Sequence, residues 1–430
     1  MSDELRVLLG GVEIGQVVRS KGFLRFVYDS SWRSNDSAFP LSLSLPLARS
    51  EHAHATTESF MWGLLPDNER TVERWAKRFQ VSGRSAFALL AHVGEDCAGA
   101  VQFVRPERVD EVRGAGPGSV AWLTPRQVAE RLRLLREDQA AGRLARDTGQ
   151  FSLAGAQPKT ALLFDGSRWG VPGGRTPTTH ILKPPVGDLE GHLHNEHLCL
   201  AMARAVGLPT AASNVLEFEE ESAIVIERYD RILNPTPGRS SKIPSVTRLH
   251  QEDLCQASGF MPGLKYQSDG GPTPRAIAAL LRQHSSRAEE DLTTFLDALI
   301  LNWLFAGTDA HAKNYSLLIG PHSQVRLAPL YDLGSALPYP QLDKRRLKLA
   351  MKLGSTYHVD RVSQRDFARL ATELELAPET VLARARTLTQ ALRDRLPALR
   401  KRTRLKHPLV ERLFTTIDEH ARHCAKVLGS

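Results

Sequence analysis

The stretch AGTDAHAKNYSLLI (306–319) sets Asp309, His311, Lys313 and Asn314 within six residues. It lies between an apolar run, FLDALILNWLFAG, that reads as a helix, and YSLLI, which reads as a strand. A carboxylate and an amide five residues apart do not share one helix face, but a tight loop can fold them around one point. Downstream, APLYDLG ends a short apolar run on Asp332, followed by Leu333 and Gly334. Asp-x-x-x-x-Asn, then a strand, then Asp-apolar-Gly is the order of groups in kinase-type phosphoryl transfer. In that chemistry Asp309 accepts the proton of an attacking hydroxyl. Asn314 and Asp332 offer hard oxygen ligands to the magnesium on the nucleotide phosphates. Each residue alone also suits a turn or a loop-backbone bond. The ordered set, with a lysine and a glycine loop upstream, favours the kinase reading.

The upstream lysine is Lys183 in THILKPP. Period-two alternation places Thr179, Ile181 and Lys183 on one strand face, and His180 and Leu182 on the other. A lysine at a strand end suits phosphate oxygens. Glu196, opening the helical NEHLCLAMARAVGL, is its candidate acidic partner, or simply a glutamate well placed at a helix N-terminus. FSLAGAQPKTALLF carries Gly155 between Ala154 and Ala156, then Gln157, Pro158 and Lys159 before a strand. Small residues let backbone N–H groups approach phosphates, and Lys159 adds charge; a hairpin turn would look similar. No Walker A loop occurs, and no GxGxxG precedes a helix. VIERYDR (225–231) leaves a strand as a connector where backbone groups would meet an adenine edge. His192, His194 and His197 match no standard metal spacing.

These residues need elements to hold them. Residues 5–28 alternate as strands around Gly10-Gly11, a hairpin signal. A helix is expected from Glu69 to Phe79, a short one in SAFALLAHV, and a strand in GAVQFV. ERVDEVRGAGPGSVA reads as a linker. Thr124, Pro125 and Gln127 form a helix start with a capping box. Strands return in TALLF, THILK and AIVIERYD, and the pattern turns mostly helical after about residue 247. A strand-rich front and a helical back imply a cleft between two lobes.

At 430 residues, 42% hydrophobic and 24% charged, the chain reads as a soluble globular protein of two or three domains. Its four scattered cysteines point to reduced thiols and a cytoplasmic setting. MSDELRVLL lacks the pattern of a signal peptide, and the most apolar helix candidate is short and carries Asp297 and Asn302, against a membrane span. The net charge is +8, and nine Lys or Arg face one acid, Asp394, between Arg384 and Lys406. That run fits either an acidic partner such as nucleic acid or a solvated arginine-rich helix face.

Read in order, SLAGAQPKTALL, PTTHILKPP, IERYDR, RLHQEDLCQA, KYQSDGGP, TDAHAKNYSLL and PLYDL resemble the blocks of the HipA family, serine/threonine kinase toxins of bacterial toxin–antitoxin modules. Residues 1–105 resemble the family's N-terminal subdomain, with LLPDNE and ALLAHVGEDCAGAVQF. The resemblance implies an α+β, two-lobed, protein-kinase-like fold with a strand-rich N-terminal lobe, a small N-terminal subdomain and a mostly helical C-terminal lobe. The expected divisions are a subdomain over 1–106, a linker over 107–121, an ATP-binding lobe over 122–246 and a catalytic lobe over 247–430.

Carried residue by residue, the resemblance makes Asp309 the base and Asn314 and Asp332 the magnesium ligands. Ala154, Gly155, Ala156, Gln157, Pro158 and Lys159 cover the phosphates, and Lys183 contacts ATP. Glu227, Arg228 and Tyr229 lie at the adenine hinge, while His311, Lys313 and Tyr331 line the pocket. Ser152 matches the autophosphorylated serine, and Pro158 stands where the family commonly has glutamate. The implied partners are a HipB-like helix-turn-helix antitoxin, operator DNA through that complex with the basic C-terminal region contributing, and an aminoacyl-tRNA synthetase as substrate. A small-molecule kinase would share the Asp/Asn/Asp set without a phosphorylatable serine in its nucleotide loop. A DNA-binding corepressor with a vestigial kinase site is the reading from another class.

Overall fold

The computed structural model describes residues 3–114, 118–138, 151–173, 175–185, 187, 189–234 and 243–429. The alternation at the start of the chain folds as an antiparallel meander of Glu4–Leu9, Val12–Ser20 and Phe23–Tyr28. Glu51–His52 and Val101–Val104 complete a five-stranded sheet. Gly10 and Gly11 turn the first hairpin at φ values of 58° and 89°, which side chains rarely adopt. Leu5, Val7 and Leu9 enter a core with Phe26, Phe60, Leu90 and Phe103, whereas Leu8 packs with Val104 and Val112. Helices Glu69–Phe79 and Ala86–Val93 lie where their patterns place them, each started by a side chain that accepts a backbone N–H, Asn68 and Ser85.

A six-stranded sheet follows in the spatial order Ser213–Phe218, Glu221–Glu227, His180–Lys183, Thr160–Phe164, Trp169–Gly173 and Ser119–Leu123. Helix Pro125–Glu137 starts at the expected Thr124–Gln127 capping box and packs Val128, Ala129 and Leu132 onto Leu162, Leu182 and Val225. The expected linker is the clearest difference in organisation. Pro106–Arg108 and Val109–Arg113 are helical, and Ser119–Leu123 is an edge strand paired with Trp169–Gly173. The latter strand, interrupted by Pro172, had no legible pattern of its own.

The chain divides into two compact units, 1–184 with 216–262 and 317–324, and 185–215 with 263–316 and 325–430. These boundaries differ from the expected 1–106, 122–246 and 247–430. Helix His192–Ala205 joins the second unit because it packs against helices Pro378–Arg402 and Pro408–Leu428. In the first unit, residues 1–106 and the six-stranded sheet share a buried ion cluster. Asp96 accepts from Thr178 N at 2.9 Å, Thr178 Oγ1 at 2.8 Å and Arg231 at 2.9 Å, with Arg248 at 3.4 Å. Arg228 pairs with Asp230 at 2.9 Å and donates to the Cys97 carbonyl at 2.8 Å. Burial alone would raise the Asp96 carboxyl, but Arg231, Arg228 and Arg248 together hold it below the usual carboxylate range.

The second unit is built on helix Ala288–Phe305, buried on most of its circumference from Asp291 to Phe305. Neighbouring helices are Pro274–His284, Pro378–Arg402 and Pro408–Leu428. Trp303 donates to the Val359 carbonyl at 3.1 Å, and Asp297 receives a forked pair from Arg384 at 2.7 and 2.5 Å. Among the described residues, no helix is long and apolar enough to cross a membrane. All four cysteines are buried, and none is in a disulfide.

Two measurements check this packing. Asp96→Asn strands buried guanidinium charge, and denaturant unfolding should show a loss of about 3–5 kcal/mol. His180, His194, His250 and His420 are each pushed down to about 4, with burial the leading cause. Their ordinary value is 6.5, so between pH 6.5 and 4 the unfolded chain binds protons that the folded chain refuses, and stability falls on acidification. Glu252 acts in the opposite sense. Burial raises it from 4.5 to about 8, so the folded chain keeps a proton there and stability falls as pH rises through that range. Four groups against one give a thermal midpoint that peaks near neutrality in a pH series, with an alkaline decline that Glu252→Gln flattens.

Candidate active site

Helix Ala288–Phe305 stops at Ala306, whose φ of 48° is left-handed, and Gly307 N closes back onto the Asn302 carbonyl at 2.7 Å. A Cβ on Gly307 would lie 2.6 Å from Asn302 Oδ1, so glycine permits this tight exit. The chain emerges at Asp309, turns through the 3₁₀ segment Ala312–Asn314 and enters strand Ser316–Gly320. Asn314 Nδ2 donates to the Asp309 carbonyl at 2.7 Å, which turns the amide oxygen away from that carbonyl. The segment around Asp332 is held alongside. Tyr331 donates to the Lys313 carbonyl at 2.8 Å and shares a 2.6 Å bond with Ser316 Oγ. Ser335 Oγ donates to the Phe305 carbonyl at 2.6 Å, and Asn195 brackets Ser335 at 2.7 and 3.0 Å. Asp332 itself has φ 55°, the left-handed region. Asp309, His311, Lys313, Asn314, Tyr331 and Asp332 thus all lie in the second unit.

The first unit holds the other expected group. Ile181 packs with Phe151, Leu153 and Ala161, while Leu182 faces the helix side of the sheet. Alternation therefore puts Lys183, which is buried, on the face that carries the 151–159 segment. In that segment Gly155 has φ 99°, and Lys159 Nζ donates to the Ala154 carbonyl at 2.7 Å, folding Ala154, Gly155, Ala156, Gln157 and Pro158 into a closed loop. The loop leans on the N-terminal subdomain. Asp67 N bonds the Gly155 carbonyl at 3.2 Å, and Phe151 bridges Asp96. Ser152 is fully buried, its N–H on the Asp96 carbonyl at 3.0 Å and its hydroxyl on the Leu64 carbonyl at 2.7 Å.

The other expected residues lie in both units. The Arg228 side chain is buried in the ion cluster, and its N–H and C=O bond Thr179 and Arg231. Its side chain and its main-chain groups are thus already bonded within the first unit. Of its expected hinge neighbours, Glu227 is exposed and Tyr229 donates to Gln251. Glu196, on helix His192–Ala205, is buried. His194 stacks on His407 with ring centres 4.6 Å apart, and His197 bonds Ser213 at 3.0 Å, so both serve packing. Among the described residues, no cluster of three or more His, Cys, Asp or Glu could hold a metal. An amide, a carboxylate and substrate phosphates fit magnesium without such a cage. Tyr266 was missed: its hydroxyl donates to Asp309. The signal was the block KYQSDGGP, legible as a family block but not as a side-chain role.

With this geometry in hand, the comparisons with known proteins decide the family. The HipA-like C-terminal domain matches residues 151–396 and the HipA N-terminal domain matches 5–104. The chain belongs to the HipA family. It is 36% identical to the "Putative kinase Y4mE" of Sinorhizobium fredii, covering 81% of this chain and 80% of that one. It is 27% identical to the "Serine/threonine-protein kinase toxin HipA" of Shewanella oneidensis, covering 91% and 88%. Its fold is similar to a chain of the solved Shewanella oneidensis HipA, HipB and operator DNA complex, with a TM-score of 0.83, 23% identity and 99% of both chains covered. The α+β, kinase-like fold of the HipA family is therefore the fold of this chain, and the chain is a serine/threonine protein kinase of that family.

The backbone at position 332 offers a stability test for this HipA-family loop. Asp332→Val sets a β-branched side chain at positive φ and should cost about 2 kcal/mol, whereas Asp332→Gly should not lower the thermal midpoint.

Proposed function

We propose that this kinase uses ATP and magnesium to phosphorylate a protein serine or threonine, and acts as the toxin of a toxin–antitoxin module. The observation that carries the reading is the rigid exit of helix Ala288–Phe305, which presents Asp309 with Asn314 tied to its carbonyl. In the reaction the acceptor hydroxyl oxygen bonds to the γ-phosphorus as the bond to the ADP oxygen breaks. The hydroxyl proton passes to Asp309, which is 70% exposed at its side chain and open to an incoming acceptor. Asn314 and Asp332 would hold the magnesium, and Lys183 with the Ala154–Lys159 loop would hold phosphate oxygens. Magnesium, when bound, neutralises charge on the phosphates. Holding these groups on a buried helix end fixes their alignment before the transfer, which is where such catalysis gains most.

Ser152 serves in this reading as the self-inactivation site. A phosphate there adds about two negative charges to a loop that must receive other phosphates, and they repel. Since Ser152 is buried and bonded to Leu64, the loop opens before the hydroxyl can react. Partner, operator and target are read from the Shewanella oneidensis relative and the family resemblance: a HipB-like helix-turn-helix antitoxin, DNA held through that complex, and an aminoacyl-tRNA synthetase as substrate. In the basic run, Arg384 and Arg386 are committed to Asp297 and the Leu428 carbonyl. A DNA contribution falls instead to exposed Arg395, Lys401, Arg402, Arg404 and Lys406.

The test is incubation of the purified chain with ATP and magnesium, followed by mass spectrometry. Phosphate should appear on Ser152, and Asp309→Asn should slow its appearance by about 100-fold or more. Undiminished labelling of the Asp309→Asn protein would remove the base assignment. Expression of wild type without an antitoxin should arrest growth, and Asp309→Asn should not.

A further inference from the structure

The Asp309 carboxylate is exposed and stands on a loop, yet a base must present one oxygen steadily. An exposed aspartate otherwise samples several staggered rotamers. Two groups meet its Oδ1: the Tyr266 hydroxyl donates to it, and His311 Nε2 lies 3.8 Å away. Oδ2 receives no hydrogen bond among the described residues, so one oxygen is anchored and the other left open.

Tyr266 is itself firmly built in. Its ring meets the buried His311 ring edge-on, with centres 4.9 Å apart and planes at 88°. The preceding Lys265 carbonyl accepts Ala312 N at 3.1 Å, joining this segment to the catalytic loop. Asp269 N and Gly271 N both bond the Tyr266 carbonyl, at 3.1 and 3.0 Å. A Cβ on Gly271 would fall 2.0 Å from the Leu264 carbonyl, so glycine alone closes the turn this tightly. Gln267 Oε1 accepts Lys352 N at 2.7 Å, pinning the far side to strand Lys348–Leu353. The whole segment holds one phenol against one carboxylate.

We infer that Tyr266 is a positioning residue that anchors Oδ1 of Asp309 and so leaves Oδ2 as the oxygen that takes the acceptor's proton. The inference rests on the reading of Asp309 as the base. Tyr266 acts through the carboxylate that its hydroxyl holds. Without the phenol, the carboxylate divides its time among rotamers, of which one is productive. ATP binding, which belongs to other residues, is unaffected.

The experiment measures ATP-dependent phosphate incorporation into the full-length chain across a range of ATP concentrations, with magnesium. Tyr266→Phe, which keeps the ring against His311, should lower the maximal rate about 3- to 10-fold. The ATP concentration at half-maximal rate should stay within about twofold of wild type, and the thermal midpoint should be unchanged. A Tyr266→Phe protein as fast as wild type, with Tyr266→Ala slow, would show that the ring's packing matters and not the hydroxyl, and the inference falls. A faster Tyr266→Phe protein would mean that the phenol blocks the base, which also overturns it. Asp309→Asn separates the two levels. If that variant is inactive and Tyr266→Phe is normal, only the role of Tyr266 is lost. If Asp309→Asn stays active, or wild type takes up no phosphate, the underlying base reading fails and takes the inference with it.

Discussion

The first unit depends on a buried charge balance. Asp96 and Asp230 face Arg228, Arg231 and Arg248 in a buried cluster. Such a cluster is costly to desolvate and is stable only while each charge keeps its partners. Its members come from three distant stretches of sequence, so it forms only when the N-terminal subdomain, the strand exit at 228–231 and the hairpin strand at 246–248 are all in place. The same Asp96 also offers its main-chain carbonyl to Ser152. The 151–159 segment is thereby seated on the element that fastens the subdomain to the sheet. The N-terminal α+β unit is thus more than an appendage, since it forms the floor under the loop.

The second unit solves a different problem, the precise exit of a helix. The core helix is rigid because it is buried from Asp291 to Phe305 and anchored by Asp297 and Trp303. A left-handed residue and a glycine then reverse the chain within two positions. The polar loop beyond is held at both ends, by Asn302 on one side and by Tyr331 bonding the Lys313 carbonyl on the other. A second left-handed residue, Asp332, presents its carboxylate from a backbone state that most side chains avoid. Two left-handed residues, Ala306 and Asp332, thus flank the polar loop, and packing around them sustains that backbone.

Local pattern carried much of this architecture. The glycine hairpin, the capping box at Thr124 and the alternation at 179–183 each follow from short-range physics, and all appear as read. The kinase-like order of Asp309, Asn314 and Asp332 was legible because the spacing itself encodes a loop, a strand and a turn. What stayed hidden depends on distant partners. Arg228 sits in a motif that faces a connector, and nothing local reveals that Asp96, more than a hundred residues earlier, claims its guanidinium. The strand at 119–123 looked like linker because the stretch that leads into it is polar, glycine-bearing and without apolar periodicity. Tyr266 was unreadable because its role is defined by one hydroxyl meeting one carboxylate across 43 residues.

The Ser152 hydroxyl is held by a main-chain carbonyl, as is its amide. Substituting side chains at 64 or 96 leaves both acceptors in existence. The latch on this serine is written in the path of the chain, and the side chains at 64 and 96 act on it only by holding that path in place. Any enzyme that modifies Ser152 meets only the fraction of molecules in which the segment has swung out. The free energy of that local opening sets a ceiling on the modification rate, however fast the chemical step. In the proposed reading, the stability of this segment sets the pace at which Ser152 is modified.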